Sequence, residues 1–531
     1  MTVPWNAATA GAIGADWLLE AIAPNGAFGR AAREREQAFR RGDEAAARAA
    51  LARVARIARD VPAPLLGELR AALAAAPDVR AALARACEGA TLDDVDFFEI
   101  ARFIDTLDDV ARRTTGDAFE PHDVACADPA LRDALAPART PARTFYLADL
   151  FDSKLAARRG EAANAQAAYD AARGRTYARV ARALGRETLG EDVFTVMRDA
   201  LPAPWPAGLR VLREAPTYLL CALELDEAAL AALASRETAV AAVAEAEEAV
   251  RVTLSRNVAR AAARLNAACD ALGNLESLLA RAAFAQRYAG VVPTLVDAPA
   301  VTLDEVRYVP LADALALRGG RYAPLSFALF GVGVVTGPNM GGKTAALRAL
   351  GFAAACVALG VPVPARAATL PLVDEIAWLG SETLPHDDAL LSAFGSEVVE
   401  LRAFMDRGAA PALVLLDEFA RATAPREGRA LLVALLETLR LRGAVGLAAT
   451  HFTGIAADAH VPHYAVGGLR ELTSPQGARL ELDVALAGIA RATDYGLARV
   501  DERALPAADA LALAEALGLD PTLLARARAM L

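Results

Sequence analysis

The chain has 531 residues, of which 55% are apolar, 23% charged and only 6% aromatic. This length allows roughly two to four domains, and the composition is that of a globular, helix-rich protein with ample core. The net charge of −10 and the pI near 5.3 argue against a surface that binds nucleic acid through bulk positive charge, though a local basic patch stays open.

Cysteines stand at 87, 126, 221, 269 and 356, with no CxxC pair and no histidine at useful spacing. They predict buried free thiols in a reducing compartment and no zinc site.

The first 150 residues read as helices. "REREQAFRRGDEAAARAALARVARIARD" and "PAPLLGELRAALAAAPDVRAALARACEG" place apolar residues three and four apart, with Pro62 and Pro64 between them. "TLDDVDFFEIARFIDTLDDVARR" predicts a further helix, with Thr91 and Asp94 as its capping box. Its stripe of Phe97, Ile100, Phe103, Ile104 and Leu107 predicts packing rather than a ligand site.

Asp16 and Glu20 interrupt any leader-like apolar run, and no basic stretch precedes them. A cytoplasmic protein without a signal peptide is the expectation.

From about 151 a long helix with one polar face is expected. A Pro- and Gly-containing stretch follows, in which "LRVL" and "TYLLCALEL" suggest short strands. Residues 226–287 are nearly proline-free and predict one helix of about 60 residues, some 90 Å long at 1.5 Å per residue, with Gly273 as a candidate kink. Two long helices flanking a small β-containing tip would form a lever; a coiled coil is the competing reading, without a strict heptad sustained long enough to prefer it. From about 297 apolar runs ("GVGVV", "ALVLL", "GAVGLAAT") alternate with helices, the pattern of a mainly parallel sheet. The uncharged run 349–365 falls short of a membrane span of about 20 residues and predicts a core helix.

One stretch carries chemistry. Gly337-Pro338-Asn339-Met340-Gly341-Gly342-Lys343-Thr344 fits G-x-x-x-x-G-K-[ST], between an expected strand and an expected helix. Glycines let successive N–H groups turn toward phosphate oxygens, and the helix N-terminus adds positive charge. Lys343 is one of two lysines in a chain that otherwise uses arginine. A compact ammonium on a flexible stem reaches the β and γ phosphates of ATP, where arginine's broad fork does not substitute. Thr344 offers a hydroxyl to Mg²⁺. Further on, "ALVLLDEFARAT" ends an apolar strand in Asp417, a candidate Mg²⁺ ligand, and Glu418, a candidate base for the attacking water. "ATHF" offers His451 near the γ phosphate or that water.

These motifs resemble the MutS mismatch-repair ATPase family. "TGPNMGGKT" is similar to that family's P-loop, "LLDEFARATAPREG" to its Walker B and D-loop, "ATHF" to its His loop, and "DYGLARV" with "LLARARAML" to its closing segments. "SAFGSEVVEL", 392–401, resembles its signature segment S-x-F-x-x-E. The resemblance implies that Ser392 completes the nucleotide site of a partner subunit. It also implies an architecture of helical core (1–150), lever helix with a small clamp-like insert (151–222), returning lever helix (223–296) and P-loop ATPase domain (297–531). A homodimer, or a dimer with a related subunit, would then carry two composite sites for ATP and Mg²⁺. Two family glycines are replaced by Ala420 and Ala422. The sequence also opens at the helical core, without the family's mismatch-reading and connector domains or the nuclease module of its MutS2 branch. Between 185 and 221, Arg186, Arg198, Arg210 and Arg213 face Glu187, Glu191, Asp192, Asp199 and Glu214, with no basic excess for a DNA clamp.

Two functions are therefore expected of the ATPase. It acts as a DNA-linked switch that is not itself a mismatch reader. Alternatively it remodels a protein, as a reactivase subunit for a cobalamin-dependent lysine 5,6-aminomutase. A transporter ATPase is disfavoured, since no membrane partner is visible.

Overall fold

A computed structural model of the chain describes residues 1–120, 128–136, 147–202, 204–338, 342–380, 393–408, 411–469, 493–504, 511, 514–515 and 517–530. It mixes helical and α/β structure. The boundaries near 150, 222 and 296 divide the chain by sequence pattern; packing divides it into one unit of Met1–Ala76, Asp109–Ala125 and Asp270–Leu531 and another of Pro77–Asp108 and Cys126–Cys269.

The second unit carries an antiparallel sheet of β1 (Val193–Met197), β2 (Leu209–Glu214) and β3 (Tyr218–Leu223), in the order β1-β3-β2. The apolar runs predicted β2 and β3. β1 went unnoticed, although "VFTVM" alternates: Phe194 and Val196 turn inward while its other residues stay exposed. The inward residues pack with Leu209, Leu219 and Cys221 on Val180 and Ala181 of the helix Ser153–Ala183. In the same unit the stripe Phe97, Ile100, Phe103, Ile104 and Leu107 is fully buried. The cap of its helix differs from expectation. Asp93 and Asp96, not Thr91 and Asp94, form the reciprocal box: Asp96 N–H donates to Asp93 Oδ1 at 2.8 Å, and Asp93 N–H to Asp96 Oδ2 at 3.2 Å. The helix starts at Asp94, two residues later than a Thr91 cap would require, which makes Asp93 the N-cap and Asp96 the N3 residue.

The helix Glu227–Arg287 runs unbroken through Gly273 and supplies residues to both units. Gly273 is there for close approach: a Cβ would sit 2.5 Å from the Phe28 carbonyl oxygen. One turn further on, buried Glu276 accepts N–H groups from Asn25 (2.7 Å), Gly26 (2.5 Å) and Gly29 (3.1 Å). It thereby caps the helix Ala27–Arg35, whose own N-cap glycine has no side chain to do so.

The first unit contains two sheets. β4 (Thr294–Leu295), β5 (Ala300–Val306), β6 (Leu325–Phe330) and β8 (Ala367–Leu370) form one, ordered β4-β8-β5-β6. Its antiparallel β5 pairings with β6 and β8 had no counterpart in the sequence reading. β7 (Val332–Thr336), β9 (Glu375–Gly380), β10 (Ala412–Asp417), β11 (Val445–Ala449), β12 (His463–Leu469) and β13 (Thr493–Val500) form the other, ordered β13-β12-β7-β11-β10-β9. Only the β12–β13 pairing is antiparallel.

Alternate residues of β10 enter different cores. Leu413 and Leu415 join a cluster with Ile13, Leu18 and the helix Lys343–Ala358. Val414 and Leu416 join one with Phe404, Leu432 and Leu436. Helices cover both faces, which is why these strands read as unbroken apolar runs. The uncharged run after the glycine loop is buried core, and no helix among the described residues is long and apolar enough to cross a membrane. Cys221, Cys269 and Cys356 are buried free thiols. Cys87 is exposed, against expectation, because it ends its short helix on the outer side; Cys126 lies outside the described residues.

Candidate functional site

Parallel register assembles the site. Asp417 is level with Ala449 on β11, and Ala449 with Val335 on β7. The segments leaving β7, β10 and β11 therefore emerge together at the carboxyl edge of the sheet, where open α/β sheets place their ligands. Gly337, Pro338, Asp417, Glu418 and His451 all lie on those segments.

Gly342, left-handed at φ +97, is the N-cap of the helix Lys343–Ala358 and contributes no capping side chain. The first-turn N–H groups thus lack a side-chain cap and can meet an anion. Lys343 is buried. Its Nζ donates to the carbonyl oxygens of Gly337 (2.8 Å) and Pro338 (3.1 Å). Burial pushes this ammonium below the ordinary lysine range, and the nearby Glu418 and Asp417 carboxylates partly restore it. Thr344 donates its hydroxyl to both Asp417 oxygens, 3.2 Å away in each case. A hydroxyl and a carboxylate so paired suit Mg²⁺, which takes few protein ligands and fills its shell with water and phosphate.

Glu418 stands in a strained turn, at φ +52, followed by Ala420 at φ +60. Its Oε1 lies 2.7 Å from His451 Nε2, and Arg421 pairs with its Oε2. Burial alone would raise the Glu418 carboxyl. His451 and the Arg421 guanidinium outweigh it and hold the group below the ordinary glutamate range. A cleft of about 260 Å³ opens beside it, lined by Phe419, Arg421, Thr423, Pro425, Thr450, His451 and Phe452.

Lys343, Thr344, Asp417, Glu418 and His451 are therefore brought to one edge, with Gly337, Pro338 and Gly342 framing them. Asn339, Met340, Gly341 and Ser392 lie outside the described residues.

Two side chains at this edge carried no role in the sequence reading. His463 is buried between Thr336, the last residue of β7, and Asp501. The Asp501 carbonyl can only accept, so Nδ1 donates to it, and Nε2 lies 2.8 Å from the Thr336 hydroxyl. Glu397 is buried on the helix Ala393–Arg407, where its Oε2 accepts the Ala420 N–H at 2.9 Å. Both links join segments distant in sequence; the second had a faint signal as the glutamate of the segment 392–401.

The model of MutS domain V matches residues 333–516. Residues 333–516 therefore carry a MutS domain V. Part of the chain is similar to proteins named Endonuclease MutS2. It is 34% identical over 188 residues to that of Streptococcus gordonii, covering 35% of this chain and 23% of the relative. The protein of Solidesulfovibrio magneticus is 36% identical over 208 residues, 38% of this chain and 25% of the relative. That of Halothermothrix orenii is 32% identical over 219 residues, 39% and 26%. The matched part spans about a quarter of each relative's length, so the likeness does not extend to the whole relative.

Proposed function

We propose that this chain is a MutS-type ATPase that hydrolyses ATP to ADP and phosphate and works as a dimer with two composite sites. The observation that carries this reading is the convergence of Lys343, Thr344, Asp417, Glu418 and His451 on the carboxyl edge of the parallel sheet. Lys343 exchanges its two loop carbonyls for β- and γ-phosphate oxygens. The N–H groups around Gly342 receive the same phosphates. Thr344 and Asp417 would hold Mg²⁺, and the ion would supply charge neutralisation for the phosphates there. Glu418, kept ionised by its partners, orients the attacking water and takes its proton. His451 fixes the aim of that carboxylate. Ser392 of one subunit completes the site of the other, so nucleotide binding and subunit closure are coupled.

The first partner we propose is DNA, in a repair-linked transaction other than mismatch reading, on the strength of the MutS2 relatives. Their nuclease activity is no part of the proposal, because the match covers only about a quarter of each relative's length. A second reading, a protein partner, is favoured by the three-stranded sheet. Val193, Met197, Leu212 and Tyr218 are exposed on it, as is Trp205 nearby, and acids balance its arginines. A reactivase for a cobalamin-dependent aminomutase is the sharpest form of that reading. Steady-state turnover with Mg²⁺, with and without linear and branched DNA, tests the choice. Stimulation by DNA that weakens steeply with salt supports the first partner. Turnover indifferent to every DNA form removes it and leaves the protein.

A further inference from the structure

The turn after β10 is held in a conformation that its residues do not favour. Glu418 and Ala420 are both left-handed, without a glycine between β10 and the following helix to ease them. Such a backbone persists only where its surroundings over-determine it. Three features do so. The Glu418 N–H donates to the Ala449 carbonyl at 3.0 Å, extending the β10–β11 ladder by one residue. Phe419 is fully buried in the core shared by Leu416 and Leu436. The Ala420 N–H donates to Glu397 Oε2.

Glu397 is an expensive way to make that bond. The residue is 1% exposed, and its second carboxylate oxygen is shielded from solvent with no hydrogen-bond partner among the described residues. Burial raises its carboxyl, and Glu400 on the next turn raises it further. An apolar residue of the same volume would suit this core better. What glutamate provides is a rigid link between the helix Ala393–Arg407 and the second residue after Glu418.

We propose that Glu397 is a positioning residue through which the helix Ala393–Arg407 sets the aim of Glu418. The link passes from Glu397 to the Ala420 N–H, through the strained turn, to the carboxylate facing His451. That helix begins immediately after Ser392, so movement at the segment that meets a partner subunit would reach the water-activating carboxylate of the same chain. The inference rests on the reading of Glu418 as the base.

The test uses the full chain with three variants. Glu397→Met fills the volume but cannot accept the Ala420 N–H. Glu397→Gln keeps an accepting oxygen without the charge. Glu418→Gln probes the base itself. We expect Glu397→Met to lower kcat by about tenfold or more while its ATP dissociation constant stays within about threefold, because a misaimed group costs turnover rather than ground-state binding. Glu397→Gln should stay within about threefold of the parent in both. Equal kcat for the two Glu397 variants overturns the proposal. So does a parallel loss of kcat and ATP affinity, which marks a purely structural role. A tenfold loss in Glu397→Gln, which keeps the shape and the bond, overturns it without reference to whether the methionine variant folds. Unimpaired turnover in Glu418→Gln instead removes the base assignment, a separate failure.

Discussion

The strands of the six-stranded sheet and those of the three-stranded sheet use similar residues yet bury them differently. β7, β10 and β11 are buried at every position, between helices on both faces. β1 buries alternate residues only, and β2 exposes most of its length. A strand covered on both sides cannot shift without disturbing two cores. It makes a rigid edge on which Lys343, Asp417 and Glu418 can be placed to fractions of an ångström. A strand covered on one side leaves an apolar face free for something else.

The largest expected effect breaks the platform. Gly446 pairs with Val414, and a Cβ there would lie 1.9 Å from the Val414 carbonyl oxygen. Gly446→Val should cost more than about 4 kcal/mol and abolish the cooperative melting transition; a normal melt would mean that the β10–β11 spacing is not as tight as described.

Next comes the phosphate loop. Lys343→Ala should weaken ATP binding by about tenfold to a hundredfold, the loss of a charge-assisted contact, read by nucleotide titration. Its melting point should hold or rise, since a buried ammonium satisfied only by carbonyls is removed.

His451→Ala sharpens the electrostatic part. In the folded chain the Glu418 carboxyl is held below its unfolded value. Its contribution to stability is thus present above the ordinary glutamate range and is lost as pH falls through the depressed value. Without His451, burial is opposed only by Arg421, and the carboxyl rises. The acid limb of kcat/KM should move to higher pH, with turnover reduced by about tenfold to a hundredfold. An unmoved limb would detach His451 from Glu418.

The smallest effect belongs to the open face of the second sheet. Met197→Ser and Leu212→Ser, both at exposed positions, should change stability by no more than about 0.5 kcal/mol and leave basal ATP turnover untouched. If either unfolds the chain, that face is part of a core after all.

Much of this arrangement was visible in the residues because its signals are local. The glycine loop with Lys343 and Thr344, the acidic pair closing an apolar strand, and the histidine after the next strand each sit within one short stretch. What brings them together is strand order, and parallel neighbours lie far apart in sequence. β10 and β11 could be recognised singly, while their level carboxyl ends could not. The same distance hid Glu276 under the loop at Asn25, Glu397 under Ala420, and His463 between Thr336 and Asp501. The Thr91 cap failed for a different reason: three acidic residues in "LDDVD" offer competing boxes, and only the helix start decides among them. Ala420 shows the reverse case. Its replacement of a family glycine was legible at once, but the left-handed conformation it must adopt, and the buried glutamate that holds it there, needed the fold.

The central claim is that Glu418 activates water at a site built by Lys343, Thr344 and Asp417. Single-turnover hydrolysis of ATP with Mg²⁺, comparing the parent chain with Glu418→Gln, tests it most directly. The account predicts unchanged ATP affinity and a hydrolysis rate lower by about a hundredfold or more. Hydrolysis at the parent rate in the variant would contradict it.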